Sequence, residues 1–206
     1  MKKIEEVRNI AVIGAGTMGP GMALVFAQYG FEAKLFSRRQ ETLDKAKSVM
    51  RTSLGTLAEF GVVQQEAIDP ILGRVTFTNL LEAAASDSDV VCETVAESRE
   101  VKSGIFEQLD KICSPKTIFT SNTSSLNIFN LVPNSRLPNT LIAHWFAPPH
   151  IVPLVEVVRG PQTKDETMDL IADLLKKVGR IPVRMEKFIS GFVINRLYRA
   201  LRRETY

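Results

Sequence analysis

The chain has 206 residues, 45% hydrophobic and 24% charged, which is typical of a globular protein with one sizeable domain or slightly more. Its net charge of +3 comes without any long basic run, which argues against a nucleic-acid partner. No apolar stretch approaches the ~20 residues of a membrane span, and Met-Lys-Lys-Ile-Glu-Glu at the N-terminus is unlike a signal peptide. Cys92 and Cys113 have no metal or redox spacing, so we expect inert thiols, no metal site and a cytoplasmic protein without membrane contact.

The first predicted element is a short strand, Ile10 to Ile13, apolar and β-branched like strands buried on both faces of a parallel sheet. It runs into Gly14-Ala-Gly-Thr-Met-Gly19, a G-x-G-x-x-G motif, and then into an apolar helix from Met22 to Tyr29. Gly14 permits a tight turn, Gly16 lets the backbone approach a pyrophosphate, and Gly19 lets strand and helix pack closely. Although such a motif alone could be an ordinary turn, between a strand and a helix it predicts dinucleotide binding, with Thr17 and Met18 beside the cofactor.

Strands and helices alternate through the middle of the chain. Strands are predicted at Phe31–Phe36, Val75–Thr78, Asp89–Val95, Thr117–Thr120 and Leu141–Phe146, with helices at Gln40–Phe60, Gln64–Leu72, Leu80–Ala85 and Val101–Ile112. This alternation predicts a doubly wound, mostly parallel sheet of the Rossmann type, an α/β fold.

The pattern changes after Pro148-Pro149. A strand at Leu154–Val158, a helix at Lys164–Val178 and a strand at Ile181–Arg184 are followed by a helix predicted to start at Gly191. That last helix has more apolar side chains than one domain is expected to bury, namely Phe192, Val193, Ile194, Leu197, Tyr198 and Leu201. We therefore expect a nucleotide-binding domain at 1–188 and the first part of a truncated helical domain at 189–206, whose apolar face needs a partner.

The residue after the second strand indicates which nicotinamide cofactor binds. In dinucleotide-binding folds an acidic residue there, roughly 20 residues after the glycine motif, bonds the ribose 2′-OH of NAD. Here the position is Ser37, followed by Arg38 and Arg39. A small hydroxyl with two guanidinium groups suits a 2′-phosphate, whereas the alternative is that both arginines are ordinary exposed charges. The sequence favours NADP over NAD.

Six blocks in order carry a resemblance to a known family: Gly14 to Gly19, Glu93-Thr-Val-Ala-Glu97, Ser121-Asn-Thr-Ser-Ser125, Ala143-His-Trp-Phe, Leu154-Val-Glu-Val-Val158 and Gly191-Phe-Val-Ile-Asn-Arg196. Together they closely resemble the 3-hydroxyacyl-CoA dehydrogenase family over essentially the whole chain. The resemblance implies an enzyme that interconverts (S)-3-hydroxyacyl-CoA and 3-oxoacyl-CoA by hydride transfer with a nicotinamide cofactor. It also implies a homodimer formed through a C-terminal helical region, most of which is expected to be missing here.

Oxidation of an alcohol needs a base for the hydroxyl proton, and histidine is the usual choice. His144 ends the sixth predicted strand, where open α/β sheets bind ligands, whereas His150 follows two prolines and is expected to be an ordinary solvated side chain. Glu156 lies within an apolar strand, where a carboxylate is rarely unpaired, although an outward-facing position is the alternative. The family supplies the same pair, with His144 as acid and base and Glu156 as its partner.

Five further residues carry over from the resemblance. It implies that Ser124 and Asn195 meet the substrate, that Asn122 lies near the nicotinamide ribose, and that Glu97 and Lys102 lie near the cofactor and the CoA chain. From composition alone, Asn122 and Ser124 could equally be turn or helix-capping residues before Leu126.

One departure from the family widens the choice of substrate. The family commonly has an asparagine where this chain has Ala147, and the segment 148–156 is similar to dehydrogenases of free hydroxy acids such as gulonate and carnitine. The leading hypothesis is a short-chain 3-hydroxyacyl-CoA dehydrogenase; a dehydrogenase of CoA-free 3-hydroxy acids and a non-catalytic NAD(P)-binding domain are the alternatives. Because Asn195 stands where the second domain begins, we expect this chain to bind NADP or NAD but to turn over 3-hydroxyacyl-CoA poorly or not at all.

Overall fold

The apolar runs of the sequence form the eight strands of a single sheet in the computed structural model, which describes residues 3–205. The strands are β1 Asn9–Ile13, β2 Glu32–Phe36, β3 Val75–Thr78, β4 Val90–Glu93, β5 Ile118–Ser121, β6 Thr140–Trp145, β7 Leu154–Arg159 and β8 Ile181–Met185. The helices are α1 Gly19–Gln28, α2 Gln40–Glu59, α3 Ile68–Gly73, α4 Leu81–Ala85, α5 Arg99–Ile112, α6 Asp165–Lys177 and α7 Ile194–Thr205. The predicted domain ends at Met1 and Tyr206 lie outside the described residues.

The strand order is β3-β2-β1-β4-β5-β6-β7-β8. The chain starts in the middle of the sheet, adds β2 and β3 on one side, and returns to add β4 on the other side of β1. Parallel strands of this kind place their carboxyl ends along one edge, and ligands bind where the strand order reverses. The doubly wound α/β fold predicted from the sequence is confirmed.

Helices cover both faces of the sheet. Met22, Leu43 and Ile171, from α1, α2 and α6, belong to the apolar layer on one face. On the other face, Phe106 of α5 packs with residues of the segment that follows β5, such as Phe129. Strands buried on both sides explain why β1 and β4 read as continuous apolar runs in the sequence.

The strand β7 departs from the parallel pattern, because it runs antiparallel to β6 before β8 returns parallel to β7. Hydrophobic periodicity carries no information about strand direction, so the sequence did not reveal this reversal. Its consequence is a register in which His144 lies directly opposite Glu156. Directly opposed residues have Cβ atoms about 4.5–5.5 Å apart, close enough for their side chains to interact.

The prediction that the last helix starts at Gly191 is wrong, since α7 begins at Ile194. Gly191 and Phe192 have φ angles of +79° and +48°, which lie in the left-handed region and cannot belong to a right-handed helix. The Phe192 ring is also buried, at 1% exposure, instead of adding to the exposed apolar face. Other members of that face are exposed as expected, namely Leu197, Tyr198 and Leu201.

Within residues 3–205, none of the helices is both long and apolar enough to cross a membrane.

Candidate active site

The glycine turn between β1 and α1 has the geometry that its spacing predicted. Gly14 has a φ of +119°, and a Cβ there would lie 2.5 Å from the Thr94 carbonyl oxygen. A Cβ on Gly19 would overlap the carbonyl oxygen of Gly14, so the close crossing of strand and helix requires glycine. Gly16 differs from both, because nothing lies within 4 Å of the position that its Cβ would take. The space next to Gly16 is therefore not filled by any other described part of the folded chain.

Three adjoining clefts form a continuous trough along the carboxyl edge of the sheet. A cleft of about 700 Å³ is lined by Gly14 to Gly16 and by Ser37, Arg38, Arg39 and Thr42. It shares Val95 and Ala96 with two neighbouring clefts, one of about 760 Å³ beside α5 and one of about 530 Å³ that reaches Ser124 and His144. Thr17 and Met18 line the latter cleft. Their predicted contact with a cofactor stays a prediction. An elongated trough of this size can hold a dinucleotide.

Ser37, Arg38 and Arg39 line a different cleft of the trough from the one that His144 lines. Asn79 donates its side-chain amide to the Ser37 carbonyl oxygen at 2.8 Å, which fixes the backbone there. Both arginines are exposed, and neither has a carboxylate within ion-pair distance in the part of the chain that is described. Their guanidinium groups are therefore available to an anionic ligand.

His144 and Glu156 form a buried pair, and His144 lines the cleft of about 530 Å³. His144 Nδ1 lies 2.7 Å from Glu156 Oε2, with His144 at 7% exposure and Glu156 at 0%. This rules out an outward-facing Glu156. Because a carboxylate only accepts hydrogen bonds, Nδ1 carries the hydrogen and Nε2 is the nitrogen left to take a proton.

The second oxygen of Glu156 accepts hydrogen bonds from two backbone amides at the start of α7. The N–H groups of Val193 and Ile194 lie 2.7 and 2.9 Å from Glu156 Oε1. Burial alone would raise the pKa of Glu156, but the hydrogen bonds from His144 and these two amides outweigh it and hold that pKa below its ordinary value. Glu156 is therefore ionised at neutral pH and serves both the histidine and the helix.

The segment after β5 places two of the predicted residues, Asn122 and Ser124, beside the trough. The Asn122 side-chain oxygen accepts from the Trp145 amide at 2.8 Å, and the Asn195 side chain donates to the Ser124 carbonyl oxygen at 3.3 Å. The turn-capping role that composition allowed for Asn122 or Ser124 belongs instead to Thr123, whose hydroxyl accepts from the Leu126 amide. Asn122 and Ser124 line the trough.

Glu97 fixes the segment after β5 through hydrogen bonds. Its carboxylate accepts from the Thr123 hydroxyl at 2.6 Å and from the Ser124 amide at 3.1 Å, and Lys102 lies 3.4 Å away. Although partial burial raises the pKa of Glu97, these hydrogen bonds and the charge of Lys102 bring it below its ordinary value. The predicted contact of Glu97 with the cofactor stays a prediction. The hydrogen bond from the Ser124 amide to Glu97 was not predicted from the sequence.

Sequence reasoning missed Glu93, which lies at the end of β4 with no exposed surface. Lys102 is equally buried, and its amine lies 2.7 and 2.9 Å from the two Glu93 carboxylate oxygens. The Ser121 hydroxyl and the Val95 amide also donate to Glu93. The pattern that drew attention to Glu156, a carboxylate in an apolar strand, would have found Glu93 as well. Lys102 was predicted beside the cofactor and CoA, and its amine is engaged with Glu93 under the floor of the trough.

His150 is not the solvated side chain that the sequence suggested. It is half-buried beside Gly21 of α1, and its Nδ1 has no hydrogen-bond partner in the described part of the chain. Burial and the positive charge of Arg180 lower its pKa. Packing of the loop 148–153 against α1 explains the difference. The inert thiols are as expected, since burial raises the pKa of Cys92 to about 12 and that of Cys113 to about 11.

The open space at Gly16 allows a direct test of the trough. We expect Gly16→Ala to leave the melting temperature unchanged, because the added methyl meets nothing in the folded chain. Cofactor affinity should fall at least ~10-fold, since losing a charge-assisted contact to a phosphate costs about 1.5–3 kcal/mol. Calorimetric titration with NADP and NAD measures this. Gly19→Ala is the matched control, and it should lower the melting temperature because its methyl group would overlap the Gly14 carbonyl oxygen. If Gly16→Ala bound the cofactors as tightly as the wild-type chain, the pyrophosphate would have to bind elsewhere.

Comparison with known proteins identifies the family of this chain. The family profile described as 3-hydroxyacyl-CoA dehydrogenase, NAD binding domain, matches residues 9–188. A protein of Deinococcus radiodurans named as a probable 3-hydroxybutyryl-CoA dehydrogenase is 41% identical over 190 residues, which are 92% of this chain and 67% of that protein. The 5-formyl-3-hydroxy-2-methylpyridine 4-carboxylate 5-dehydrogenase of Mesorhizobium japonicum is 35% identical over 199 residues, 96% of this chain and 63% of that protein.

The crystal structure of (S)-3-hydroxybutyryl-CoA dehydrogenase from Ralstonia eutropha superposes with a TM-score of 0.91 at 28% identity, covering 97% of this chain and 70% of that one. This chain thus spans about two thirds of the length of the relatives that it matches. The glycine turn, the trough and the family profile agree, and the chain belongs to the 3-hydroxyacyl-CoA dehydrogenase family, an oxidoreductase family of which it carries the NAD-binding domain.

Proposed function

We propose that the chain is the nucleotide-binding part of a dehydrogenase that interconverts (S)-3-hydroxyacyl-CoA and 3-oxoacyl-CoA, with short acyl chains such as 3-hydroxybutyryl as substrates. The observation that carries this proposal is the buried pair of His144 and Glu156, 2.7 Å apart, with His144 lining the trough. The names of the Deinococcus and Ralstonia relatives support the same substrate class.

The residues of the trough fit a nicotinamide dinucleotide. The space above Gly16 is open, and the first turn of α1 has no side-chain cap, which leaves its positive end for phosphate oxygens. The exposed arginines after β2 add positive charge to the cleft of about 700 Å³. When bound, the nicotinamide supplies the hydride chemistry of the reaction.

In the oxidising direction, His144 acts as the base. Its Nε2 takes the proton of the substrate hydroxyl, while Glu156 keeps Nδ1 protonated and stabilises the positive charge that the imidazole acquires. In the reverse direction the same Nε2 returns the proton to the carbonyl oxygen. Burial of the pair strengthens the interaction between the two charges and keeps water from competing with the substrate for Nε2.

Ser124 and Asn195 are assigned to the substrate. Among residues 3–205 the Ser124 hydroxyl makes no hydrogen bond, so it can donate to the oxygen that changes between hydroxyl and carbonyl. The Asn195 side chain comes from the first turn of α7 and reaches the same segment. Asn122, whose oxygen is fixed by the Trp145 amide, is assigned to the ribose next to the nicotinamide.

The two-domain organisation is part of this proposal. We assign 1–188 to the nucleotide-binding domain and 189–206 to the start of a helical domain. The exposed side chains of Leu197, Tyr198 and Leu201 support this, because single soluble domains rarely expose such a row along a helix. The apolar face of α7 is expected to contribute to a homodimer.

A dehydrogenase of a CoA-free hydroxy acid is the second candidate. Two observations favour it: Ala147 replaces the asparagine usual in the family, and the Mesorhizobium relative is named for a pyridine carboxylate. The discriminating experiment compares (S)-3-hydroxybutyryl-CoA, gulonate and carnitine as substrates and follows formation of reduced nicotinamide by absorbance. We expect slow oxidation of the CoA substrate and less of the other two. Faster oxidation of gulonate or carnitine would favour the second candidate, and cofactor binding without any turnover would leave a non-catalytic binding domain.

NADP is proposed to bind more tightly than NAD, because Arg38 and Arg39 have no acidic partner within residues 3–205 and no carboxylate occupies the ribose-reading position. A charge-assisted contact to the 2′-phosphate is worth about 1.5–3 kcal/mol, or roughly 10- to 150-fold in affinity. Fluorescence titration with both cofactors measures the ratio. Arg38→Ala should reduce it, and Arg51→Ala, an exposed arginine on α2, is the matched control. Equal affinities, or tighter binding of NAD, would contradict the proposal.

A further inference from the structure

The five residues before and at the start of α7 contact three of the proposed catalytic residues at once. We call Gly191 to Asn195 the alignment turn. Phe192 is its only fully buried side chain among the described residues, and none of the residues of α7 is buried. This part of the chain is therefore attached to the rest of the protein mainly through contacts at the active site.

The Phe192 ring lies against the His144 imidazole. Their ring centroids are 5.4 Å apart with planes inclined at 56°, and Phe146 contacts the imidazole with centroids 4.6 Å apart. Phe188 in turn packs edge-on against Phe192, with centroids 5.9 Å apart. The imidazole is thus bounded by two aromatic rings and by the carboxylate of Glu156, which together restrict its rotation.

The backbone of the alignment turn contacts the other two residues. Glu156 is buried, and one of its oxygens is occupied by the amides of Val193 and Ile194 while the other holds His144. A carboxylate fixed at both oxygens cannot rotate away from Nδ1. At the end of the turn, Asn195 reaches the carbonyl oxygen of Ser124.

Unusual backbone conformations support a positional role. Phe192 is a residue with a side chain at a φ of +48°, a conformation that residues other than glycine seldom adopt and that tends to occur at functional sites. This conformation directs the ring inward to His144 while the next two amides face Glu156. Surrounding contacts therefore hold the turn in a shape that its own backbone does not favour.

We propose that the alignment turn positions the catalytic pair: Phe192 is a positioning residue for His144, and the docking of α7 onto Glu156 holds the histidine in its reactive orientation. The inference rests on the proposed function for its meaning, but its physical content concerns the orientation of one imidazole. A shift of α7 would weaken the contacts of Glu156, His144 and Ser124 together. Any domain or subunit that fixes the position of α7 therefore also fixes the orientation of the His144 imidazole.

The test uses proton NMR of the chain, which has only two histidines, His144 and His150. An Nδ1–H bonded to a buried carboxylate gives a low-field proton resonance, assigned to His144 by its persistence in His150→Gln. In Phe192→Leu we expect this resonance to broaden or disappear, and the amides of Val193 and Ile194 to exchange at least ~10-fold faster with deuterium. Cofactor affinity should stay within about twofold, and any measured kcat should fall with little change in KM.

Phe129→Leu is the matched control, since Phe129 is a buried phenylalanine in the same core layer without a ring contact to His144. It should lose stability as Phe192→Leu does, yet keep the low-field resonance. If Phe192→Leu does not fold, Gly191→Ala, strained at a φ of +79°, displaces the turn and should give the same losses. An unchanged resonance with unchanged amide exchange in either variant would overturn the proposal. Because these measurements need no substrate, a failure of the proposed function in the substrate comparison would leave this inference standing.

Discussion

Replacing His144 with alanine is expected to lower the turnover number by about 10²–10⁴-fold, because the hydroxyl proton loses its acceptor. The buried pair leaves the reaction no second base of suitable reach, since Glu156 is already bonded at both of its oxygens. Affinity for the cofactor should barely change, as the glycine turn and the arginines after β2 are untouched. The measurement is the initial rate at saturating substrate, together with a titration of the cofactor.

The other histidine supplies the control for this experiment. His150→Ala changes a half-buried imidazole in the loop after β6, away from the trough, and should retain turnover. Glu156→Gln should also slow the reaction, because an amide neither fixes Nδ1 as the protonated nitrogen nor balances the imidazolium charge. Near-normal turnover in His144→Ala or Glu156→Gln would show that the roles are wrongly assigned.

Lowering the pH is expected to reduce the stability of the folded chain by protonating Glu156. The folded-state pKa of Glu156 is depressed, so its ionisation stabilises the folded chain at pH values above the ordinary carboxyl pKa, and this contribution is lost as the pH falls through the folded value. Protonation removes the negative charge that stabilises the hydrogen bonds from His144 and from the amides of Val193 and Ile194.

The glycine turn could be read from the sequence because each step in it is local. A buried strand, three glycines at fixed spacing and an apolar helix define one strand–turn–helix unit. Steric overlap of a Cβ at Gly14 and at Gly19 explains why two of those positions are glycine. The position of Ser37, Arg38 and Arg39 directly after the second strand could be read for the same reason, since that strand has a readable end.

The pairing of His144 with Glu156 needed more than local pattern. Apolar surroundings indicated that Glu156 requires a partner, and the family resemblance indicated which one, but the contact depends on β7 running antiparallel to β6. Strand direction and register arise from long-range packing, which periodicity does not report. The same limit concealed the inward-facing ring of Phe192, because its position depends on a left-handed backbone next to Gly191.

Glu93 was missed for another reason. Its carboxylate forms a buried ion pair with the Lys102 amine. The apolar strand around Glu93 was a readable signal, as it was for Glu156, but it does not indicate that the partner is Lys102, nine positions away on the next helix. Lys102 matched a family position near the cofactor, which drew attention away from the contact that it makes inside this chain. Whether it also reaches a ligand can be tested through the energetics of the pair.

Lys102→Met is expected to lower the free energy of unfolding by about 3–5 kcal/mol, because it leaves Glu93 as a buried charge without a counter-ion. For a chain of this size that corresponds to a fall of roughly 6–20 °C in melting temperature, measured by calorimetry or by urea unfolding. The effect should be large because the side chains of Lys102 and Glu93 are 1% and 0% exposed and two further donors converge on the carboxylate.

Two comparisons separate loss of the pair from simple loss of a lysine. Lys34→Met breaks the partly exposed pair with Asp87, 2.6 Å apart, and should cost no more than ~1 kcal/mol. Adding Glu93→Gln to Lys102→Met removes the uncompensated charge and should restore part of the lost stability, which identifies the stranded carboxylate as the cause. If Lys102→Met unfolds as easily as the wild-type chain but binds the cofactor much more weakly, then the lysine acts on the ligand and the buried pair with Glu93 contributes little to the fold.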